Sequence, residues 1–323
     1  MNSYDVVIVN YNGEKIITQC LRSIYNSEIK PNQVIIYDNA SKDKSVAIIK
    51  KKFPETKLIR GRENVGFGNG NNKAMRYSKS DFILFVNNDV LLDKKCTKYL
   101  IEGLKKDSRT AIVNPLIYKG WQKKKRQEIY SFGAAINEAG FAYSLYSKTS
   151  DRSDLMCFSG ACFLTRANII KKIGFDKNLF LYYEEPIISI DVLLKGYKIA
   201  RLKKSYCYHL ENYSSPQNHV SGVSFRQYYG TQNRLYMVGR YWPYSKRCKA
   251  LLINGLYLVY ITTYYLLHGQ WKYLNIWKVA YKKYRFGRKN KVQNRDNSWC
   301  KKLERMSFGK YLQLRKIVFG ERN

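Results

Sequence analysis

The chain has 323 residues and 45% apolar content, enough to build an ordinary globular core in one large domain with an appendage, or in two domains. Fifty-eight Lys and Arg against 24 Asp and Glu give a formal net charge of +34. That excess predicts affinity for something anionic: nucleic acid, a phospholipid surface or a phosphate-bearing substrate. Seven cysteines, an odd number with no C-x-x-C pair, exclude a disulfide framework or a zinc site and read as free thiols in a reducing compartment.

The N-terminal MNSYDVVIVNYNG enters a strand within a few residues, with no basic stretch followed by an apolar one, so no signal peptide is expected. YDVVIV (4–9) is a short Val- and Ile-rich strand. After it, Ile16, Ile17, Cys20, Leu21, Ile24 and Tyr25 recur on one helical face. QVIIYD (33–38) is the next strand, and Ser41 and Asp43 open a second helix with Val46, Ile49 and Phe53 inside. KLIR (57–60), a glycine-rich turn, a helix near 70–79, FILFV (82–86), a helix over 94–105 and AIVNP (111–115) follow. Short strands alternating with helices predict βαβ units, a parallel sheet covered on both faces, and a ligand crevice beyond the carboxyl ends of the strands. Polar clusters fall at those ends: Asn10 to Asn12, Asp38 and Asn39, and Asn87, Asn88 and Asp89.

Residues 118–156, with KKKR at 123–126, read as a long surface excursion. SGACFLTR (159–166) resumes the pattern, a helix covers 167–174, FDKNLFLYYEEP (175–186) leads to a helix from Pro186 to Lys195, and YKIARL and YCYHL are extended. From 223 the character changes. SFRQYYGTQNRLYMVGRYW reads as helical, LLINGLYLVYITTYYLL (251–267) carries no charge, and KKYRFGRKNK (282–291) is strongly basic. Residues 201–323 hold 25 Lys and Arg against four Asp and Glu.

Asp89 ends a buried strand, where a carboxylate can hold magnesium or manganese; turn chemistry is the competing reading. Asp38 can accept hydrogen bonds from a ribose or base, or serve a turn. Gly66, Gly68 and Gly70 precede a helix and permit close backbone approach to a ligand, although the spacing matches neither standard phosphate loop. Glu184 and Glu185 stand in an aromatic and aliphatic setting. One of them suits a general base with a pKa raised by burial or by its like-charged neighbour, and first-turn acidity facing a helix dipole accounts for only one. His209 is one of three histidines and fits either a structural role or a metal site.

In order, VVIVNYNG, YDNASKDKS, ENVGFGNGNN, LFVNND, SGACFLTR, GFDKNLFLYYEE, KGYKI and YHLENYSS resemble the family 2 glycosyltransferases, in particular the bacterial rhamnosyltransferase-like branch acting on surface polysaccharides. The resemblance covers residues 4–215 and implies a GT-A fold: an α/β, Rossmann-like, mixed but mostly parallel sheet flanked by helices, with a nucleotide-sugar site at its carboxyl edge. Carried over by position, Asp38 would bind the nucleoside. Asn64, Gly66 and Asn72 would shape the nucleotide pocket beside Asn10, Asn12 and Asn88. Asp89 would bind a divalent metal, manganese or magnesium, with His209 within reach of it. Glu185 would be the catalytic base, with Glu184 the other candidate. Two departures stand out: Asn87 replaces the first carboxylate of a full D-x-D, and Ile187 occupies a position often acidic in relatives, which also tend to carry Asp where this chain has Glu185.

The resemblance thus implies an inverting glycosyltransferase with a nucleotide-sugar donor and a lipid-linked or growing polysaccharide acceptor. A catalytically inactive relative acting as an assembly partner is the alternative. The charge also raises a nucleic-acid-binding protein, but no reading motif accompanies it and no nucleic acid partner is expected. The domains expected are a catalytic one over 1–222 and a helical, basic, membrane-associating region over 223–323. In the latter, an uncharged aromatic-aliphatic stretch bracketed by Lys and Arg suits a helix on an anionic membrane surface; a buried core helix with a solvated tail is the other reading. The membrane reading makes the protein cytoplasmic and peripheral on the inner face of the bacterial cell membrane.

Overall fold

The computed structural model describes residues 3–120, 128–146, 155–210, 219–220, 223–292 and 297–305. The KKKR run and positions 211–215 of the last motif lie outside them. Two compact units form. The first comprises Met1–Ala134, Ser144–Phe180 and Glu184–Pro216; the second comprises Ala135–Tyr143, Leu181–Tyr183 and Gln217–Asn323.

In the first unit, β1 (Tyr4–Asn10), α1 (Ile17–Tyr25), β2 (Gln33–Asp38), α2 (Ser45–Lys52), β3 (Lys57–Arg60), α3 (Phe67–Met75) and β4 (Phe82–Val86) alternate. Then come β5 (Val90–Leu92), α4 (Cys96–Lys106), β6 (Thr110–Lys119) and β7 (Ile129–Ser131). A small two-stranded sheet, belonging mostly to the second unit, joins β8 (Ala134–Ile136) to β9 (Ala142–Ser144). The series ends with β10 (Cys162–Arg166), α5 (Ala167–Ile173), α6 (Glu184–Leu194) and β11 (Lys198–His209). Among the described residues the main sheet has nine strands in the order β3-β2-β1-β4-β10-β6-β11-β5, with β7 on β6.

Alternation along β1 shows how the sheet is buried. Val6 and Ile8 join the core beneath α1, α2 and α4 with Leu21, Ile49 and Leu100, whereas Val7 joins Ala74, Ile170 and Ile188 on the opposite face. Strands covered on both faces need apolar residues at every position, which is why they read as continuous runs. Each fully buried Ile or Leu contributes about 2 kcal/mol.

The sheet is mixed. Strands β3, β2, β1 and β4 run parallel, as do β6 and β11, while β10 is antiparallel to β4 and β6, and β5 to β11. Among the described residues no helix lies between β6 and β10, and a helical crossover is the usual companion of parallel pairing. The expected excursion at 118–156 is partly built into the fold: β6 runs to Lys119, β7 pairs with it, and Phe132, Ile136 and Phe141 are buried. Dense lysines concealed these short apolar segments. Helix α3 starts earlier than the expected 70–79, because the glycines after Gly66 are themselves helical. Helix α6 begins at Glu184, two residues ahead of Pro186, since proline is tolerated in a first turn.

The second unit is helical. Ser224 caps α7 (Phe225–Tyr241), its Oγ accepting from the Gln227 N–H at 3.3 Å. The helix stops at Trp242, which precedes Pro243 and is extended there. Next come α8 (Tyr244–Leu267), a tight turn over Trp271–Leu274 and α9 (Asn275–Lys289). Leu235, Leu258, Ile261, Tyr273, Ile276 and Ala280 form its core. Arg234 is buried with its guanidinium 3.8 Å from the Phe141 ring centroid and its Nε donating to Asn254 Oδ1 at 2.6 Å. Asn254 donates in turn to the Ala139 carbonyl at 2.8 Å, and Trp242 Nε1 to that of Glu138 at 2.8 Å. The short segment 135–143 is thereby fastened to α7 and α8. All seven cysteines are unbonded; Cys248 is exposed and the other six are buried.

Candidate active site

The polar residues after β4 lie where three strands end. Because β10 runs antiparallel to β4, with Cys162 opposite Val86, the chain just before β10 lies beside Asn87, whose N–H donates to the Ala161 carbonyl at 2.9 Å. On the other side β5 pairs with β11, and the Leu210 N–H donates to the Asp89 carbonyl at 3.0 Å. That pairing brings His209 Nε2 to 3.1 Å from Asp89 Oδ1, with both side chains buried. Tyr130 stands edge-on to the imidazole at 4.4 Å. The buried Nδ1 of His209 has no hydrogen-bond partner among the described residues. No group of three or more His, Cys, Asp or Glu able to hold a metal occurs among them. One carboxylate and one imidazole make a donor set that suits manganese or magnesium when a substrate's phosphates complete the coordination.

Asn10 is the hub beside this turn. Its Nδ2 donates to Asp38 Oδ1 (3.0 Å), Ser41 Oγ (3.2 Å) and Ser45 Oγ (3.0 Å), and its Oδ1 accepts from Asn88 Nδ2 at 3.0 Å. Asp38 is fully buried and also accepts from the Ser41 N–H at 3.1 Å. Asn12, left-handed at φ 51°, links to the same loop: its N–H donates to Ser41 Oγ at 2.9 Å and its Oδ1 accepts from the Lys42 N–H at 2.9 Å. The end of β2 is therefore tied to the end of β4 through Asn10.

The glycine-rich segment is tied to the loop that carries the glutamates. Gly66 has φ +85°, and a side chain there would collide with the Phe180 carbonyl, which accepts from the Phe67 N–H at 3.0 Å. Asn64 Oδ1 accepts from the Gly66 N–H at 3.0 Å. Asn72 clasps the backbone of Phe175, donating to its carbonyl (2.8 Å) and accepting from its N–H (2.9 Å). Each of these residues thus holds a loop of the site in place through its own internal partners.

Glu184 and Glu185 begin α6. Glu184 is buried, with its Oε1 lacking a hydrogen-bond partner among the described residues, and packs over Gly68. Loss of solvation, then the adjacent Glu185, holds its carboxyl well above the usual carboxylate range. Desolvation also raises Glu185. The Glu185 carboxyl fills the space above Gly160, whose successor Ala161 accepts from Asn87. A chain of direct contacts therefore runs from Asp38 through Asn10 to Asn88, and from Asn87 through Ala161 and Gly160 to Glu185.

Four supporting residues carried no mark in the sequence as members of the site. Ser41 and Ser45 hold Asn10, Gly160 seats Glu185, and Asn114 fastens the loop before β10. Asn114 Oδ1 accepts from the Ser159 N–H (2.6 Å), and its Nδ2 donates to the carbonyls of Ser159 (3.1 Å) and Cys162 (2.7 Å). An asparagine inside the apolar run AIVNP was the available signal.

A buried carboxylate–imidazole pair at one strand edge and a protonatable carboxylate across a short backbone bridge can together hold a cation and accept a proton. Known proteins are similar to this chain in sequence and in fold. Over 240 residues the chain is 26% identical to the poly(ribitol-phosphate) beta-glucosyltransferase of Bacillus spizizenii, a match covering 70% of this chain and 35% of that protein's length. Among solved structures it is similar to Staphylococcus aureus TarS 1–349 in complex with UDP-GlcNAc (TM-score 0.55, 16% identity, covering 91% of this chain and 94% of that one). It also matches GalNAc-T7 with UDP, GalNAc and Mn2+ (TM-score 0.59, 17% identity, 76% and 49% covered). The shared fold is the GT-A arrangement that the motifs implied. The profile of glycosyl transferase family 2 matches residues 5–174, more than half of the chain, and the protein belongs to that family.

Proposed function

We propose that the protein is an inverting glycosyltransferase that moves a sugar from a nucleotide-sugar donor to a hydroxyl group of a lipid-linked or growing surface polysaccharide, at the cytoplasmic face of the membrane. The observation that carries this reading is the backbone bridge from Asn87 to Ala161, which sets the Glu185 carboxyl beside the turn bearing Asp89. The relatives' names support it: one acts on poly(ribitol-phosphate), and TarS and GalNAc-T7 were solved with UDP-GlcNAc and with UDP and Mn2+.

Glu185 takes the proton of the acceptor hydroxyl as its oxygen attacks the anomeric carbon. The bond from that carbon to the diphosphate oxygen breaks, and its electron pair leaves with the nucleoside diphosphate. A single displacement inverts the centre, by the logic of single-displacement glycosidases with a sugar hydroxyl in place of water. Burial favours this base, because a carboxyl raised toward neutrality accepts a proton more readily. Asp89 and His209 would hold a manganese or magnesium ion, whose charge offsets that of the departing diphosphate. Asp38 faces the nucleoside, and Asn12, Asn64, Gly66 and Asn72 keep the surrounding loops in shape.

The test is a panel of nucleotide sugars incubated with membrane extract, with and without manganese, read by release of free nucleoside diphosphate. Release from one donor that requires both manganese and extract is expected. Silence from every donor, with Glu185→Gln indistinguishable from the parent, would leave the inactive-relative reading in its place.

A further inference from the structure

We propose that the second unit carries a docking face for an anionic phospholipid surface, built from the outward row of α8, the turn after it and the exposed side of α9, with α8 lying in the plane of the bilayer. The inference deepens the membrane placement proposed above and rests on it.

Isolated exposed leucines are ordinary. Here Leu252, Leu256, Val259 and Leu267 recur at helical spacing along one side of α8, each between 52% and 81% exposed, and Trp271 and Leu274 extend the apolar surface into the next turn. An exposed apolar row of this kind, interrupted by Thr263, marks an interaction surface. Trp277 Nε1 donates to Thr262 Oγ1 at 2.7 Å, so the start of α9 lies against α8 and adds Trp277 and then Tyr281. Tryptophan and tyrosine favour the depth where headgroups meet acyl chains.

Charge selects the occupant. From Tyr244 to Lys289 the chain has ten Lys and Arg and no Asp or Glu. Lys278, Lys282 and Arg285 stand exposed beside the α9 aromatics. Anionic headgroups complement such a face. A second copy of the same face would meet it with like charge, and nucleic acid gives the uncharged α8 row nothing to contact.

The orientation follows from what the other side of α8 does. The helix has 24 residues, long and apolar enough by length and composition to cross a bilayer. Yet Asn254, Leu258, Ile261 and Thr262 are buried in the second unit, with Asn254 bonded to Arg234 and Ala139. A spanning helix would expose these groups to lipid and break that core, whereas an in-plane helix uses only its free side.

The experiment pellets the purified full-length chain with vesicles of phosphatidylcholine alone, or with about one-third phosphatidylglycerol added. Binding about tenfold tighter to the anionic vesicles, weakened by salt, is expected. L252E/L256E/V259E should abolish pelleting, and K278Q/K282Q/R285Q should remove the preference for phosphatidylglycerol, each with an unchanged melting midpoint. Alkaline carbonate should release the protein from cell membranes. Four results overturn the proposal: equal pelleting by parent and triple variant, resistance to carbonate, a dimer that the triple variant disperses, or duplex DNA bound as tightly as the anionic vesicles. No donor is present, and Glu185→Gln should pellet like the parent, so failure here is separate from failure of the transfer reading.

Discussion

The Glu185 carboxyl occupies the space where a side chain on Gly160 would begin. Gly160→Ala should therefore displace the carboxyl without unfolding the sheet. A misplacement of about 1 Å at a reacting group costs about 100-fold in rate. Diphosphate release by this variant should fall by that order with KM for the donor nearly unchanged; parental turnover would show that Glu185 is not the base.

The two glutamates should separate by pH. Unfolded glutamate titrates near 4.5, and burial raises both carboxyls in the folded chain, Glu184 more strongly. The folded state thus holds its protons more tightly than the unfolded one. This contribution to stability is full below pH 4.5 and is lost as pH rises through the raised values. The melting midpoint should decline over that range, and Glu184→Gln should flatten the decline. Transfer runs the other way, since Glu185 accepts a proton only when ionised, so kcat should rise with pH through its raised value. Glu185→Gln should lower kcat by about 100- to 10,000-fold at pH values where Glu185 is ionised, and the gap should close as the parent's carboxyl protonates.

Asp89 and His209, 3.1 Å apart, should act as one cation site. Asp89→Asn and His209→Ala should each raise the manganese concentration for half-maximal activity about tenfold or more, because the remaining ligand holds the ion alone. Calorimetric titration of manganese with nucleoside diphosphate present gives a second readout. Chelation should silence the parent protein reversibly.

Tyr182 and Tyr183 are left-handed, with φ of 68° and 76°, and Asn233 Nδ2 donates to the carbonyls of Leu181 and Tyr182 at 3.0 Å each. Left-handed residues other than glycine cost about 1–3 kcal/mol each unless their surroundings enforce them. Asn233→Ala should destabilise the second unit by about 1–3 kcal/mol, read from the urea midpoint. Tyr182→Gly in that background should recover part of the loss. No recovery would mean that Asn233 acts through its helix and not through this turn.

The alternating βα half was legible because period and punctuation agree there. VVIVN, QVIIYD and FILFV each end in a polar cluster, and each cluster lies at a carboxyl edge. Asp89 drew notice as a carboxylate ending a buried strand, but the spacing alone fitted a turn equally, and its assignment to a metal came from the motif resemblance. Gly160 drew none, since it acts by lacking a side chain, and Asn114 showed only as an asparagine in an apolar run, its partners lying about 45 positions away. The segments 135–143 and 181–183 were illegible as parts of the second unit for a related reason. Their partners, Arg234, Asn254 and Asn233, lie far along the chain, and periodicity reports only on neighbours. β5 was too short, at three residues, to show a period.

With six of the seven thiols shielded, a maleimide fluorophore would modify the native chain almost entirely at Cys248. That residue sits one helical turn before Leu252 on α8. The unaltered protein therefore comes with its own single attachment point for an environment-sensitive dye, whose emission colour would report how deeply this helix settles among lipids.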